Sequence, residues 1–427
     1  MKENFLHFVW QHQYFDKKEL KTFVGENINI FTTGYYNTDS GPDFQQARLE
    51  ISHVTWYGNV EIHIRASDWL AHNHQYDQAY DNVVLHVVWE NDTEIRRTDG
   101  SPIPTLELKN RIDQQLLQKY TALVSSNDLH IPCSQSLDRL PEILKISMLE
   151  TALIGRLQNK ATNILEIVEN CQEDWEEASF RVLCRNFGFK LNAEPFYELS
   201  QRIPFSLLKK HADNLFQLEA LLFGQAGMLD ANYKDDYAQK LKKEYEFLAA
   251  KYHLQQSKML PAVWKFLRTR PANFPTIRIA QLAALISKVP NLFSLIREAE
   301  DLSHIINTFT TQPSYYWQQH YAFDKPWEKD GNKLGLSSIQ NIIINTVVPV
   351  LAAYAKYYNR EEYMEKATHW LENIPAEDNK ISKTWKTLGL SQRNAGETQA
   401  GIELFNNYCK NRLCLNCQIG VAVINKL

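Results

Sequence analysis

An acidic pair and a histidine near the N-terminus have the spacing of a small cation-binding site. Asp43 follows a Gly-Pro turn, and Glu61, His63 and Arg65 alternate with apolar residues in the segment 58–65. Alternate side chains of a strand share a face, so these three would line one surface. Carboxylate oxygens bind Mg²⁺ and Mn²⁺, which predicts that Asp43 and Glu61 hold the cation. His63 would then position or deprotonate water, and Arg65 would steady a phosphate.

Histidines are dense just after this segment, and imidazole nitrogen is a common metal ligand. His72 and His74 are therefore further candidate ligands. If 68–80 formed one helix, the step of about 100° per residue would place the two side chains roughly 160° apart. Only a subset could then bind one ion. His86 lies in an apolar strand and is expected to be a hydrogen-bonded core residue.

Three of the six cysteines form a C-x₄-C-x₂-C cluster near the C-terminus. These are Cys409, Cys414 and Cys417, and Cys133 is the candidate for a fourth ligand. Six cysteines in 427 residues are too few for a disulfide framework, so clustered thiols indicate metal or redox chemistry. We expect a Zn²⁺ ion or an iron–sulfur cluster here. The alternative is a set of buried, reduced thiols that hold the last helix in place.

The elements that must position these groups change type along the chain. Residues 1–128 contain short β-branched or aromatic runs bounded by turn residues, which is typical of a mixed α/β module. From about residue 141, apolar residues recur every three or four positions, which predicts helices. The expected fold is therefore α+β. It consists of an α/β module over 1–128, an all-α helical region over 129–400 and a cysteine-cluster segment over 401–427.

Charge is distributed unevenly, although the formal net charge is only -4. The segment 37–99 has eleven acidic and four basic residues, whereas 247–297 has eight basic residues and no acidic one. This balance excludes a uniformly basic nucleic-acid coat but allows a local one. The candidate phosphate-binding residues of the basic stretch are Lys265, Arg268, Arg270, Asn273 and Arg278. In the alternative interpretation, these side chains tie helices together and both charged segments are solvated faces.

An acid after Pro42, a strand, and an acid-x-basic triplet follow one another in the N-terminal module. The second acid, Glu61, comes 18 residues after Asp43. This order resembles the core of the PD-(D/E)-x-K nuclease superfamily, in which two acids bind Mg²⁺ and a lysine positions or activates water. The resemblance implies a restriction-endonuclease-like module. The chain departs from the pattern because His63 stands at the lysine position and no lysine occurs between Phe44 and Ile103.

Several segments carry a second resemblance, which spans nearly the whole chain. They are Ser40–Phe44, Gly58–His63, Ser67–Trp69 with His72 and His74, Asn82–Val88, Glu219–Gly227, Arg270–Pro275 and the terminal cysteine cluster. These segments resemble the bacterial family called domain of unknown function 2851. The resemblance implies no activity.

Together these patterns favour a metal-dependent nuclease with Mg²⁺ or Mn²⁺ as cofactor and nucleic acid as partner. One alternative is a non-catalytic protein that binds nucleic acid or another polyanion through a degenerate acidic site. Another is a protein that binds a metal or a small ligand such as a sugar, and in a third the strand face is purely structural. The longest apolar run, 342–355, is interrupted and shorter than the roughly 20 residues of a membrane span. A cytoplasmic protein without a membrane partner is expected, and its oligomeric state stays open.

Overall fold

The chain divides into two compact units. The computed structural model describes residues 2–125, 131–267, 269–327 and 332–426. The first unit contains 1–148, 387–390 and 404–427, and the second contains 149–386 and 391–403. The C-terminal cysteine segment therefore belongs to the same unit as the N-terminal residues.

Six strands form a mixed sheet in the first unit. They are β1 (Ile28–Thr32), β2 (Tyr35–Tyr36), β3 (Phe44–Ile51), β4 (Val54–Arg65), β5 (Val83–Glu90) and β6 (Thr105–Glu107). The strand order is β1-β3-β4-β5-β6, and β2 pairs with β3. The pairs β1–β3 and β3–β4 are antiparallel, whereas β4–β5 and β5–β6 are parallel. Because β3 and β4 are neighbours, the residues around Asp43 lie beside those around Glu61.

Three helices accompany these strands: α1 (Glu3–Gln11), α2 (Asp68–Ala71) and α3 (Gln114–Ser125). Both α1 and α2 pack against β4. The link from β4 to the parallel β5 consists of α2 and two 3₁₀ turns, His74–Tyr76 and Gln78–Tyr80. One continuous helix over 68–80 is therefore not formed. Asn73 has φ of 62°, a left-handed conformation that ends the helical path.

The second unit is almost entirely helical, as the apolar spacing predicts, so the α+β class is confirmed. The helices from residue 142 onward are α4 (Glu142–Asn170), α5 (Trp175–Phe187), α6 (Ala193–Arg202), α7 (Phe205–Lys209), α8 (Leu215–Gln225), α9 (Asp236–Tyr252), α10 (Pro275–Lys288), α11 (Leu292–Glu298), α12 (Leu302–Phe309), α13 (Tyr315–Gln319), α14 (Leu336–Ile342), α15 (Val348–Tyr358), α16 (Glu361–Glu372), α17 (Lys380–Thr387) and α18 (Ala395–Glu403). A short hairpin pairs β7 (His320–Ala322) with β8 (Lys325–Pro326). Helix pairs such as α5–α6, α8–α9 and α15–α16 pack side by side.

Helix α5 shows why these segments are helical. Asp174 precedes it and accepts hydrogen bonds from two backbone N–H groups of the first turn. Acidic residues follow in that turn and Arg185 lies in the last, which suits the helix dipole. Phe180, Leu183 and Phe187 recur at helical spacing and are all buried. The capping residue, the placement of charges and the spacing of buried residues therefore all favour a helix at this position.

The most apolar stretch of the chain is a core helix of the second unit. Helices α14 and α15 are joined by a π-helical turn, Ile343–Val347, into 23 helical residues, and an 18-residue window within them has a mean hydropathy of 1.5. This stretch is longer than the interrupted run in the sequence suggests, and it meets the length and hydropathy of a membrane span. A second apolar pair, α10 and α11, is bent by 68°. However, 67% of that 18-residue window is buried within the protein, as in a core helix.

The C-terminal residues complete the first unit. A π-helical segment, Leu404–Cys409, and a 3₁₀ turn, Cys414–Asn416, lead into α19 (Gln418–Lys426). Helix α19 packs against α3, and the 3₁₀ turn contacts α1. This arrangement returns the last cysteines to the N-terminal unit.

A buried carboxyl group in α8 gives the second unit a pH-dependent stability. The side chain of Glu219 is fully buried and accepts hydrogen bonds from Tyr237 Oη and Trp317 Nε1. Burial is the main cause that raises the pKa of Glu219 to about 7. In the unfolded chain the group titrates near its ordinary pKa of about 4.3. Between these two values the unfolded chain loses its proton first, so stability falls as the pH rises.

We expect Glu219→Gln to remove this dependence, because the amide stays neutral and still accepts both hydrogen bonds. Urea unfolding of both proteins at several pH values measures the effect. The wild type should lose roughly 3 kcal/mol relative to the variant between pH 4.5 and pH 7.5. Parallel stability curves for the two proteins across this range would contradict the assignment.

Candidate metal centre

Glu61 and His63 lie where β4 is buried on both faces. Glu61 is 5% exposed and His63 is 1% exposed, and the intervening Ile62 is fully buried. From the sequence, the polar face of this strand could either meet solvent or line a cleft, and the structure encloses it at these two residues. Because α1 and α2 both pack against β4, the polar groups are enclosed. Enclosed polar groups must find partners in the protein or in a bound ion.

Four side-chain donors converge beside β4. Glu61 Oε1 lies 3.6 Å from His63 Nε2 and 3.5 Å from His74 Nε2. His63 Nε2 lies 3.1 Å from His72 Nδ1, and one ring nitrogen from each of the three histidines lies within 4.8 Å of the others. Ligands bound tetrahedrally at about 2.1 Å from a metal stand roughly 3.4 Å apart. The three histidine nitrogens therefore have the mutual spacing of metal ligands, and Glu61 Oε1 lies beside two of them.

Both histidines of the link between β4 and β5 reach this point. The sequence argument that His72 and His74 point apart assumes one helix over 68–80. Since α2 ends at Ala71 and Asn73 turns left-handed, the two rings instead come together, with centroids 5.4 Å apart. The cluster thus includes both candidate ligands, and a left-handed asparagine is what permits it.

The ring of His86 hydrogen-bonds the ring of His63 on the side away from His72 and fixes its orientation. Its Nε2 lies 2.8 Å from His63 Nδ1, and the side chain is fully buried in β5, as expected for a hydrogen-bonded core histidine. Burial lowers the pKa of His63 to about 3, and the neighbouring His74 and His72 lower it further. The ring is therefore neutral. If Nδ1 carries the proton and donates it to His86, His63 Nε2 is free to bind a metal.

Asp43, just before β3, forms hydrogen bonds with Glu61 and with the backbone of Ile62. Its backbone N–H donates to Glu61 Oε2 at 3.1 Å, and its Oδ2 accepts from the N–H of Ile62 at 2.9 Å. From α1, His7 Nε2 lies 3.3 Å from Asp43 Oδ2 and 3.8 Å from Glu3 Oε1. Among the described residues this nitrogen makes no hydrogen bond, although it is buried. The acidic pair of the sequence analysis is thus brought together.

The local electrostatics favour a bound cation. Burial raises the pKa of Glu61 to about 9, and the nearby Asp43 carboxylate raises it as well. A carboxyl group in these surroundings ionises readily only when positive charge arrives. The buried Glu61 carboxyl group and the three neighbouring imidazoles are a donor set that a divalent ion satisfies.

Sequence reasoning missed two members of the cluster, Glu3 and His7. They come from α1, more than 30 residues before Asp43 along the chain. Their spacing of four residues, which places both on one helix face, is the local signal that could have been used.

The comparison with protein families covers all of these residues. A model of a family described as a protein of unknown function, DUF2851, matches residues 3–380. The chain belongs to this family. Searches of curated proteins and of solved structures gave no match. The matched range of this DUF2851 member contains the whole histidine–carboxylate cluster and Cys133, and it ends before Cys409.

The remaining candidate residues of this DUF2851 member lie elsewhere. Arg65 is exposed at the end of β4, where its charge interacts with Asp92. In the basic stretch, Lys265, Arg270 and Asn273 are exposed, whereas Arg278 is buried in α10. Arg268 lies outside the described residues. The expected nucleic-acid-binding set therefore does not form a single exposed strip, because one of its arginines belongs to the protein interior.

The four candidate cysteine ligands of this DUF2851 member all lie buried in the first unit. They are Cys133, Cys409, Cys414 and Cys417. Burial is the main cause that raises the pKa of the Cys133 and Cys409 thiols, and each is raised further by Cys417 and Cys414. The four groups are thus close enough to interact electrostatically. Burial raises the pKa of the Cys417 thiol as well, although backbone N–H groups of Gly420 and Ile419 hydrogen-bond its sulfur and oppose this rise.

Proposed function

We propose that this protein is a metal-dependent hydrolase of phosphodiester bonds. The observation that carries the proposal is that one ring nitrogen from each of His63, His72 and His74 lies within 4.8 Å of the others, with Glu61 Oε1 beside His63 and His74 and with Asp43 alongside. A divalent cation bound there would polarise water and neutralise charge on a phosphodiester. The resemblance to PD-(D/E)-x-K nucleases supports the same chemistry.

The neighbouring groups have distinct roles in this proposal. Asp43 orients Glu61 through its backbone N–H and presents its own carboxylate beside the metal. His7, whose Nε2 faces Asp43, can accept the proton of the attacking water. His86 fixes the ring orientation of His63. His63 thus serves as a ligand rather than as a substitute for the lysine of the nuclease pattern.

The donor set narrows the choice of metal. Imidazole-rich sites suit Mn²⁺, Fe²⁺ and Zn²⁺ better than Mg²⁺, which prefers oxygen ligands. Mn²⁺ or Fe²⁺ takes about six ligands, so four protein donors would leave two positions for water and substrate. His72 is exposed and His74 is partly exposed, so the site is open to solvent at these two residues. In this proposal a substrate reaches the metal from that side.

The same geometry supports a second candidate function. Tetrahedral Zn²⁺ would be saturated by the four donors, and closed zinc sites are structural. In that case the protein binds metal without hydrolysing phosphodiesters. The metal found in the freshly purified protein distinguishes these two functions.

Nucleic acid as the substrate is supported by the basic stretch of the second unit. Lys265 and Arg270 are exposed there, and 247–297 has no acidic residue to offset them. Contacts of this kind bind backbone phosphates without reading sequence.

Asp43→Asn tests the catalytic proposal. The amide keeps the hydrogen bond from Ile62 but lacks the charge, so we expect the metal content to stay unchanged and cleavage to fall at least about 100-fold. The measurements are elemental analysis and cleavage of single- and double-stranded DNA and RNA with Mn²⁺, Fe²⁺, Zn²⁺ or Mg²⁺. Asp39→Asn, an exposed residue of the same loop, is the matched control. Wild-type protein that cleaves none of these substrates with any of the metals would overturn the nuclease proposal.

We also propose that Cys133, Cys409, Cys414 and Cys417 bind a second, structural metal, either Zn²⁺ or an iron–sulfur cluster. Their shared burial, their electrostatic coupling and the N–H groups that hydrogen-bond Cys417 support this. A metal there would tie the C-terminal segment to the residues that follow the sheet.

A further inference from the structure

A cavity in the second unit contains a buried positive charge. The cavity has a volume of about 600 Å³ and lies between the end of α5, the segment that leads into α10, and α14. Arg278, in the first turn of α10, lines it and is only 6% exposed. A charged side chain that has lost water at this depth requires a compensating partner.

The described protein does not supply an anion to this guanidinium. Its Nη1 donates to Gln281 Oε1 at 2.9 Å, and its Nη2 donates to Asn273 Oδ1 at 2.6 Å and to Ser338 Oγ at 3.3 Å. The guanidinium carbon lies 4.4 Å from the centroid of the Phe189 ring. All of these partners are neutral, and Nε has no hydrogen-bond partner among the described residues.

The pKa of Arg278 also reflects burial without a charged partner among the described residues. Burial lowers the pKa of Arg278 to about 10, and no neighbouring acid in the part of the chain that the structure describes offsets it. Buried arginine is normally paired with a carboxylate. Three neutral partners instead fix the orientation of the guanidinium group, and the described residues do not compensate its charge.

The other charged residues in the cavity wall are also basic. Lys190 and Arg270 also line it, and both are exposed at its rim. None of the described residues that line this cavity is acidic. Polar side chains such as Asn192 and Asn341 and the aromatic Phe187 complete the wall. Three cations around one open cavity favour a ligand with more than one negative charge.

We propose that this cavity binds a phosphate-bearing ligand of about nucleotide size, with Arg278 in contact with the phosphate and Lys190 and Arg270 at the rim. Arginine forks match the geometry of phosphate oxygens, and the cavity volume lies in the range of small-molecule sites. The ligand is either a free phosphorylated small molecule or the terminal phosphate of an oligonucleotide. The site is in the second unit and does not depend on the metal centre.

Binding to the full-length protein tests the site without reference to cleavage. The probes are inorganic phosphate, adenosine monophosphate, adenosine without phosphate, and one short oligonucleotide with and without a 5′-phosphate. Titration calorimetry and thermal shift should show binding of the phosphorylated probes and not of adenosine. Binding of the 5′-phosphorylated oligonucleotide alone would identify a nucleic-acid end as the ligand, whereas binding of adenosine monophosphate would identify a small molecule.

Two variants keep the test independent of folding. Arg278→Met should weaken phosphate binding at least about tenfold, and Lys190→Ala, which changes an exposed rim residue, should weaken it severalfold while the melting temperature stays constant. Lys210→Ala, an exposed lysine of the same unit outside the cavity, is the control and should bind normally. The proposal is overturned if no phosphorylated probe binds the wild type. The proposal is also overturned if Arg278→Met and Lys190→Ala both bind the phosphorylated probes as tightly as the wild type.

Discussion

Glu61→Gln is expected to remove the metal from the histidine cluster and to abolish hydrolysis. Glu61 is the one carboxylate whose oxygen lies within 3.6 Å of both His63 Nε2 and His74 Nε2 among the described residues. A neutral amide is a far weaker ligand for a divalent cation. Loss of a direct ligand should exceed the 10–100-fold cost that is typical of losing an outer-shell partner. We therefore expect metal affinity and cleavage to fall more than about 100-fold.

This variant also separates metal loss from misfolding. Without a cation, the pKa of Glu61 is raised to about 9, so the buried group is neutral at pH 7 in the metal-free protein. Glutamine can still accept the N–H of Asp43. The chelator-treated wild type and Glu61→Gln should therefore melt at similar temperatures, whereas added Mn²⁺ or Zn²⁺ should stabilise the wild type only.

The control for this experiment is His304→Ala, which changes an exposed histidine of the second unit. His74→Ala should behave like Glu61→Gln, because it removes another of the four donors. If Glu61→Gln retains the metal content of the wild type, the four-donor site is wrong and the acidic pair returns to a structural role.

Local patterns were sufficient for part of this site. Strand alternation placed Glu61 and His63 on one face of β4, and the Gly-Pro turn placed Asp43 at the start of a strand. The switch from β-branched runs to helical spacing correctly predicted the α+β class. These features depend on neighbours within a few residues, which is the information that a single sequence carries best.

The rest of the site depends on contacts that no local pattern encodes. His7 reaches Asp43 because α1 packs against β4, which is a tertiary contact. His72 and His74 converge because Asn73 is left-handed, whereas the spacing alone suggested a helix. Apolar and polar residues alternate in β4, yet both faces are covered around Glu61. Enclosure by other elements, not alternation, decides the environment of these residues.

The basic stretch shows the same limit. A run of arginines without acidic neighbours is typical of a solvated nucleic-acid surface. However, α10 is buried through most of its length, and this burial includes Arg278. Charge counting cannot tell a buried cation from an exposed one. The same residues therefore predict a binding surface from the sequence, whereas the structure buries one of them at the wall of a cavity.

The second large effect is expected at the cysteines. Cys414→Ser should remove one metal equivalent and lower the melting temperature by at least about 10 °C, since structural metal binding is folding free energy. Cys414 begins the 3₁₀ turn that leads into α19, and its backbone carbonyl accepts the N–H of Cys417 at 3.3 Å. Without metal the buried thiols stay protonated, because burial and the neighbouring thiols raise their pKa.

Elemental analysis combined with thermal unfolding measures this effect, and visible absorption distinguishes an iron–sulfur cluster from Zn²⁺. The matched control is Cys171→Ser, which changes a half-buried cysteine in the turn after α4 in the second unit. His74→Ala should remove the other metal equivalent and leave this one in place. Because the last helix packs on α3 rather than on the sheet strands, cysteine loss should release the C-terminal segment first. Equal metal content and equal melting temperatures for Cys414→Ser and Cys171→Ser would show instead that the thiols only fill space in the core.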